Sequence, residues 1–205
     1  MYSMQYQNAA SLASERSEFI RKVYMNLALG FAGFIALEAF LVSWQPAVDL
    51  AQRMVSGNNW LIVLLAFMGV SWLANSWAIT GATLGKQYAG FALYITAEAV
   101  IFLPLIIFAN SFAPDTIPQA GIITAALTAG ISAYAFFSKK DFSFMGSFLT
   151  IASFVALGII ACAVLFGIQL GLWFSAAMIA FAGLVILYQT SVMIRRYRND
   201  QYVAA

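Results

Sequence analysis

Two carboxylates stand where the surrounding sequence is apolar: Glu38, in Ala36-Leu37-Glu38-Ala39-Phe40, and Glu98, in Thr96-Ala97-Glu98-Ala99-Val100. An ionisable group at the centre of a membrane helix costs about 2.5–3.5 kcal/mol on insertion scales, so each asks for a compensating partner or a function. In a dry site a carboxyl favours its neutral form. In a wet cavity, or beside a cation, it ionises and becomes a hard oxygen ligand suited to calcium or to proton exchange. Glu98, near the middle of its run, is the main candidate for an ion pathway; the alternative is a protonated carboxyl bonded to a neighbouring helix. Glu38 lies nearer the outer surface, within reach of polar headgroups, and reads equally well as structural. Asn75, Ser76, Thr96, Gln189, Thr190 and Ser191 are further polar groups in apolar runs, each more often interhelical glue than a ligand.

Other chemistry is excluded. The chain has no His, so it lacks a Ser-His or Cys-His pair, a His proton switch and most zinc sites. Its single Cys, Cys162, forms neither an internal disulfide nor a thiolate cluster. Phosphate loops, carboxylate hydrolase pairs and metalloprotease helices have no match, and no Asp falls inside a span for aspartyl proteolysis. We therefore expect no enzyme and no cofactor. With a net charge of +2, nucleic acid is not an expected partner.

The elements that must position these residues follow from composition. Of 205 residues 63% are hydrophobic and 9% charged, against about 45–50% and about 25% in soluble domains. The expectation is an all-α, polytopic transmembrane helix bundle whose surroundings are the lipid bilayer. Six apolar runs, at 23–44, 60–79, 88–109, 120–137, 144–168 and 172–194, each approach the roughly 20 helical residues that cross a bilayer. The short connections hold turn residues, among them Gln45-Pro46, Ser56 to Asn59 and Gly81 to Gly85. The expected organisation is an N-terminal cytoplasmic extension at 1–22, one membrane domain at 23–194 and a basic tail at 195–205.

Charge fixes the orientation. Arg16, Arg21, Lys22, Lys86, Lys139, Lys140, Arg195, Arg196 and Arg198 fall on one side of a six-span chain, and Arg53 alone on the other. Nine against one predicts that both termini are cytoplasmic. Trp44, Trp60 and Trp173 at run ends read as interfacial anchors, whereas Trp72 and Trp77 lie deeper and read as packing or cavity-lining groups. Small residues at spacing four, Gly121-Ala125-Ala129-Ala133 and Ala28-Ala32-Ala36, predict packing seams. Pro104 predicts a kink less than two turns from Glu98.

The stretch from Ser138 through Lys139, Lys140, Asp141, Phe142, Ser143, Phe144, Met145 and Gly146 to Leu149 resembles the loop into the fifth helix of the Bax inhibitor-1 family, whose bacterial branch includes YccA-like proteins. Val23-Tyr24 before a Leu/Gly-rich helix, Glu98, and Tyr188-Gln189-Thr190-Ser191 followed by Asp200-Gln201-Tyr202-Val203 agree with it in order. The resemblance implies a helical bundle, seven helices in full-length members, that leaks calcium under pH control through a pair of latching aspartates. Here the first of those positions is Gln189, which cannot ionise. The chain reaches Ala205 about where a seventh helix would begin. Two readings of that shortfall stand: a shortened seven-helix protein, which we favour, with Tyr202 to Ala205 as the first turn of the missing helix, or a natural six-helix member relying on Glu38 and Glu98.

The leading expectation is a low-conductance, pH-sensitive calcium or cation leak of a bacterial inner membrane, with Glu98, Glu38 and Gln189 along the pathway. Arg195, Arg196 and Arg198 then sit at the cytoplasmic mouth, and Ca2+ is the transported ion. The alternative is a non-conducting regulator that binds another membrane protein, such as the protease FtsH, through residues 1–18.

Overall fold

Long apolar runs fold as helices here, since a backbone surrounded by hydrocarbon must satisfy its own hydrogen bonds. The computed structural model describes residues 2–57, 59–80, 83–138 and 140–205, side chains of 2–11, 13 and 164 excepted. Asn58, Gly81 and Lys139, used above in assigning turns and orientation, lie outside the described residues. Among the described residues the chain forms seven α-helices and no strand: α1 (Tyr2–Ser43), α2 (Gln45–Met54), α3 (Asn59–Thr80), α4 (Leu84–Phe112), α5 (Thr116–Phe137), α6 (Gly146–Phe166) and α7 (Leu172–Arg196). A single 3-10 turn, Ser143–Met145, leads into α6. Six segments are long and apolar enough to cross a membrane: Ser14–Ser43 of α1, α3, α4, α5, Ser143–Ala163 and α7.

The six expected spans are all present, with three differences in the bounds and connections of the helices. The helix of the first span begins at Tyr2, so the N-terminal extension runs into that span without a break. At 42 residues α1 is about 63 Å long, roughly twice the hydrocarbon thickness. The connection after it is itself a helix, α2, which turns Ala47, Ala51 and Met54 inward and Asp49, Gln52 and Arg53 outward. Pro46 is at its first turn, where a missing N–H costs nothing, and Asn59 Nδ2 donates to the Arg53 carbonyl at 2.9 Å at its end. Helix α4 runs unbroken through Pro104. Helix α6 stops at Phe166, two residues short of the expected Ile168, because Gly167 takes the left-handed conformation at φ +65°.

By packing the chain divides into two compact units: Met1–Pro118 with Arg198–Ala205, and Gln119–Tyr197. In the first, α4 packs against both α1 and α3. The α1 seam is Phe19, Val23, Asn26, Gly30, Gly33, Leu37 and Leu41, not Ala28-Ala32-Ala36, which is exposed. Gly30 is the tight point, where a Cβ would come within 3.0 Å of the Phe91 ring; at Gly33 a Cβ would make an ordinary contact with Ile95 at 3.8 Å. On the other side of α4, a Cβ at Gly90 would meet the Ala74 carbonyl oxygen at 2.6 Å and the Ala78 nitrogen at 3.0 Å. There α3 and α4 touch backbone to backbone. Ala47 and Ala51 of α2 close over Leu103 of α4, with Leu41, Val42 and Ile107 around them.

In the second unit, Gly121, Ala125, Ala129 and Ala133 are exposed, so that stripe is not a seam. Helix α5 instead turns Ser132 and Ala135 inward and sets Ile131 against Gly183 of α7. Leu127, Tyr134, Ile179 and Leu187 are among the residues lining an apolar groove of about 480 Å³ between these helices. Trp72 faces outward at 73% exposure, against expectation, and Trp77 packs on Gly90. Trp44 and Trp173 are exposed at their helix ends.

Candidate functional site

The register of the α1–α4 seam sets the height of its carboxylates. Gly33 opposes Ile95, Phe34 meets Phe102 edge-on with centroids 5.8 Å apart, and Leu41 and Val42 reach the Leu103 cluster. Both helices therefore run the same way. With that offset, Glu38 lies opposite residues near 100, about two residues or roughly 3 Å along the axis from Glu98. The seam brings the two to one level without a hydrogen bond between them.

Their environments differ. Glu98 is half-buried and takes a hydrogen bond from Tyr94, one turn earlier on α4. Glu38 is 6% exposed, and neither carboxyl oxygen has a hydrogen-bond partner among the described residues. It does not reach the surface as expected, because α2 folds back over the end of the seam. Glu38 shares its face of α1 with Leu41 and Val42, three and four residues on. Those side chains pack on Ala47, Ala51 and Leu103.

A second polar cluster lies in the other unit and joins the two stretches that carry the family resemblance. Asp141 Oδ1 accepts from the Ser143 backbone N–H at 2.9 Å, the Ser143 hydroxyl at 2.6 Å and the Ser191 hydroxyl at 3.3 Å. Ser191 Oγ in turn accepts from the Phe142 N–H at 3.0 Å. Arg195 lies 3.7 Å from Asp141 and donates to the Lys140 carbonyl at 3.0 Å, while Arg196 donates to the Ser143 hydroxyl at 3.2 Å. The Tyr188 hydroxyl lies where a Cβ on Gly146 would stand, 2.8 Å away. The hydrogen bonds from the Ser143 side chain and backbone hold the Asp141 carboxyl below its ordinary range; Arg195 and Ser191 add to this and desolvation opposes it.

The remaining expected residues separate accordingly. Gln189 is exposed on α7, a neighbour in sequence of the buried Thr190 and Ser191. Its side chain leaves the interior to Thr190 and Ser191, which sit on the adjoining face. Arg195 and Arg196 bind the loop before α6, and Arg198 pairs with Asp200 at 3.2 Å. Asn75 and Thr96 are exposed; Thr96 bonds the Ala92 carbonyl of its own helix. Among the described residues no three of His, Cys, Asp and Glu gather to hold a metal ion.

One buried group was missed. Asn26 is 7% exposed, accepts from the Tyr88 hydroxyl at 3.2 Å and donates to the Tyr202 carbonyl at 3.4 Å. Lys22 lies over the Tyr202 ring, and Arg16 donates to Asn199 at 3.0 Å. The C-terminal segment thus docks along α1, with Val203 buried. Residues 202–204 form turns there. The spacing Phe19-Val23-Asn26 was the available signal, an amide continuing an apolar helical face.

Comparison with known proteins finds a matching family and similar chains. The family described as "Inhibitor of apoptosis-promoting Bax1" matches residues 16–205. An uncharacterised protein of Pseudomonas aeruginosa is 29% identical over 216 aligned positions, covering 100% of this chain and 88% of that protein. Protein LIFEGUARD 4 of Arabidopsis thaliana is 24% identical over 198 positions, covering 91% of this chain and 76% of its own length. No solved structure matches.

Proposed function

Because the chain belongs to the Bax inhibitor-1 family of membrane proteins, we propose that it forms a low-conductance, pH-sensitive leak for calcium or a related cation, with both termini in the cytoplasm of a bacterial cell and the pathway along the α1–α4 seam. The observation that carries this reading is the presence of two carboxylates at one level of two adjacent membrane-crossing helices. Lone acidic groups at such depth are expensive and characteristically line ion routes. Glu98 is the cation-facing member, being half-buried and polarised by Tyr94, while Glu38 is sealed. The orientation is supported by the nine-to-one charge asymmetry of the short segments.

The test is calcium entry into sealed vesicles containing the purified protein. Removing the negative charge of Glu98 in Glu98→Gln is expected to lower the flux roughly tenfold, because a fixed charge in a low-dielectric route concentrates counter-ions. Equal flux in both proteins removes Glu98 from the pathway.

A further inference from the structure

Glu38 is a carboxyl group sealed from solvent with no donor facing either oxygen among the described residues. A charged carboxylate so placed keeps its full desolvation cost without return, whereas the neutral acid gives up far less. The charged and titratable groups on the elements packed against α1 are all otherwise engaged or outward. On α2, Asp49 is exposed and accepts from Gln45 at 3.0 Å, and Arg53 is exposed. On α4, Lys86 is exposed, Tyr88 bonds Asn26, and Tyr94 and Glu98 bond each other. The tail's Arg198 and Asp200 pair with each other. Among the described residues no group of three His, Cys, Asp or Glu gathers at Glu38, and calcium asks for six to eight oxygens.

The ligand this site fits is therefore a proton. We infer that Glu38 is a proton-binding site around which α1, α2 and α4 close, and that release of the proton opens the seam from the α2 side. Of these three helices α2 is the shortest, at 10 residues. It holds Leu103 with the methyl groups of Ala47 and Ala51, and it joins α1 through one extended residue, Trp44, at φ −100° and ψ 107°. The buried side chains of this ten-residue helix are Ala47, Ala51 and Met54, a modest apolar area, so the cover is the wall to lift once a charge beneath it demands water. As a control on cation flux this rests on the leak reading above; as a proton site it does not.

The experiment uses the full chain in lipid vesicles. Infrared spectra at neutral pH are expected to show a protonated-carboxyl band in the wild type and in Glu98→Gln that is missing in Glu38→Gln. Amide hydrogen exchange of Gln45–Met54, corrected for intrinsic base catalysis, is expected to quicken as pH rises in the wild type and not in Glu38→Gln. A wild type without the band, a band retained in Glu38→Gln, or exchange with the same pH response in both proteins overturns the inference. Glutamine reproduces the shape of the neutral acid. Should that variant fail to assemble, Glu38→Met fills the seam without a titratable group and gives the same comparison. Calcium flux on the same vesicles separates the two proposals: no flux with the band and exchange response intact removes the leak and keeps the proton site.

Discussion

Asp141 and Glu38 are two of only eight acidic residues in the chain, and their surroundings are opposites. Asp141, at the membrane edge, collects three hydrogen bonds and a guanidinium from Ser143, Ser191 and Arg195. Glu38, within a span, collects none among the described residues. A carboxylate whose every need is met by its own fold is a fastener: it ties the loop before α6 to the end of α7. A buried carboxyl whose needs are unmet contributes nothing to holding the fold. The contrast therefore separates a residue that holds the structure from one that the structure is built to hold.

Glu38 stays sealed only while α4 is firmly placed against α1 and α3. Gly90→Ala attacks that placement, and it should have the largest effect. The added Cβ meets backbone atoms of Ala74 and Ala78, which cannot rotate away. Overpacking of this kind costs about 1–3 kcal/mol, and more where backbone is the obstacle. Thermal unfolding in detergent should show a loss of about 3 kcal/mol, at the upper end of that range. An unchanged midpoint would mean that α3 and α4 are not in contact at Gly90.

Replacing Glu38 by leucine should act in the opposite direction. An apolar side chain of similar volume removes two unsatisfied buried oxygens, and relief of such groups is worth about 1–3 kcal/mol. The expected outcome is a higher unfolding midpoint with loss of the pH-dependent exchange of α2. A midpoint lowered by Glu38→Leu would show that the carboxyl has a partner in the membrane-embedded protein and would erase the contrast with Asp141.

How much of this contrast was legible in the sequence depended on whether a residue's partners were near it in the chain. The six spans and the presence of an acidic group in the first and third followed from hydropathy alone, because lipid imposes helix on any long apolar run. The burial of Glu38 did not follow. It depends on α2, and α2 was read as a turn because Gln45-Pro46 punctuates the sequence and the next eight residues are amphipathic, too polar to register as a span. Pro46 was in fact a helix-start signal. The α1 seam differs from the expected one for a related reason: alanines at spacing four are as regular as Gly30 and Gly33, and the close approach of Gly30 to Phe91 is a long-range contact that spacing does not show. Asp141 two residues before Ser143, ahead of a helix, carries a recognisable local capping pattern. Its long-range partners Ser191 and Arg195, some 50 residues on, were visible only as a second motif with no stated connection to the first.

Asp141→Asn gives the smallest expected effect and the sharpest sign. Because hydrogen bonds from Ser143, aided by Arg195, hold the Asp141 carboxyl below its ordinary range, the unfolded chain takes up a proton at higher pH than the folded one. The stability this contributes is complete above the unfolded value, about 3.9 for an aspartate, and is lost as pH falls from there through the folded value. The group is exposed, so solvent screening keeps the contribution small. Unfolding midpoints measured on an acidic series should therefore fall for the wild type below that window's upper edge and fall less for Asp141→Asn, whose amide cannot titrate. A wild type and an Asp141→Asn variant with parallel acid profiles would show that the fastener works through hydrogen-bond shape alone, and charge would no longer distinguish the two carboxyl sites.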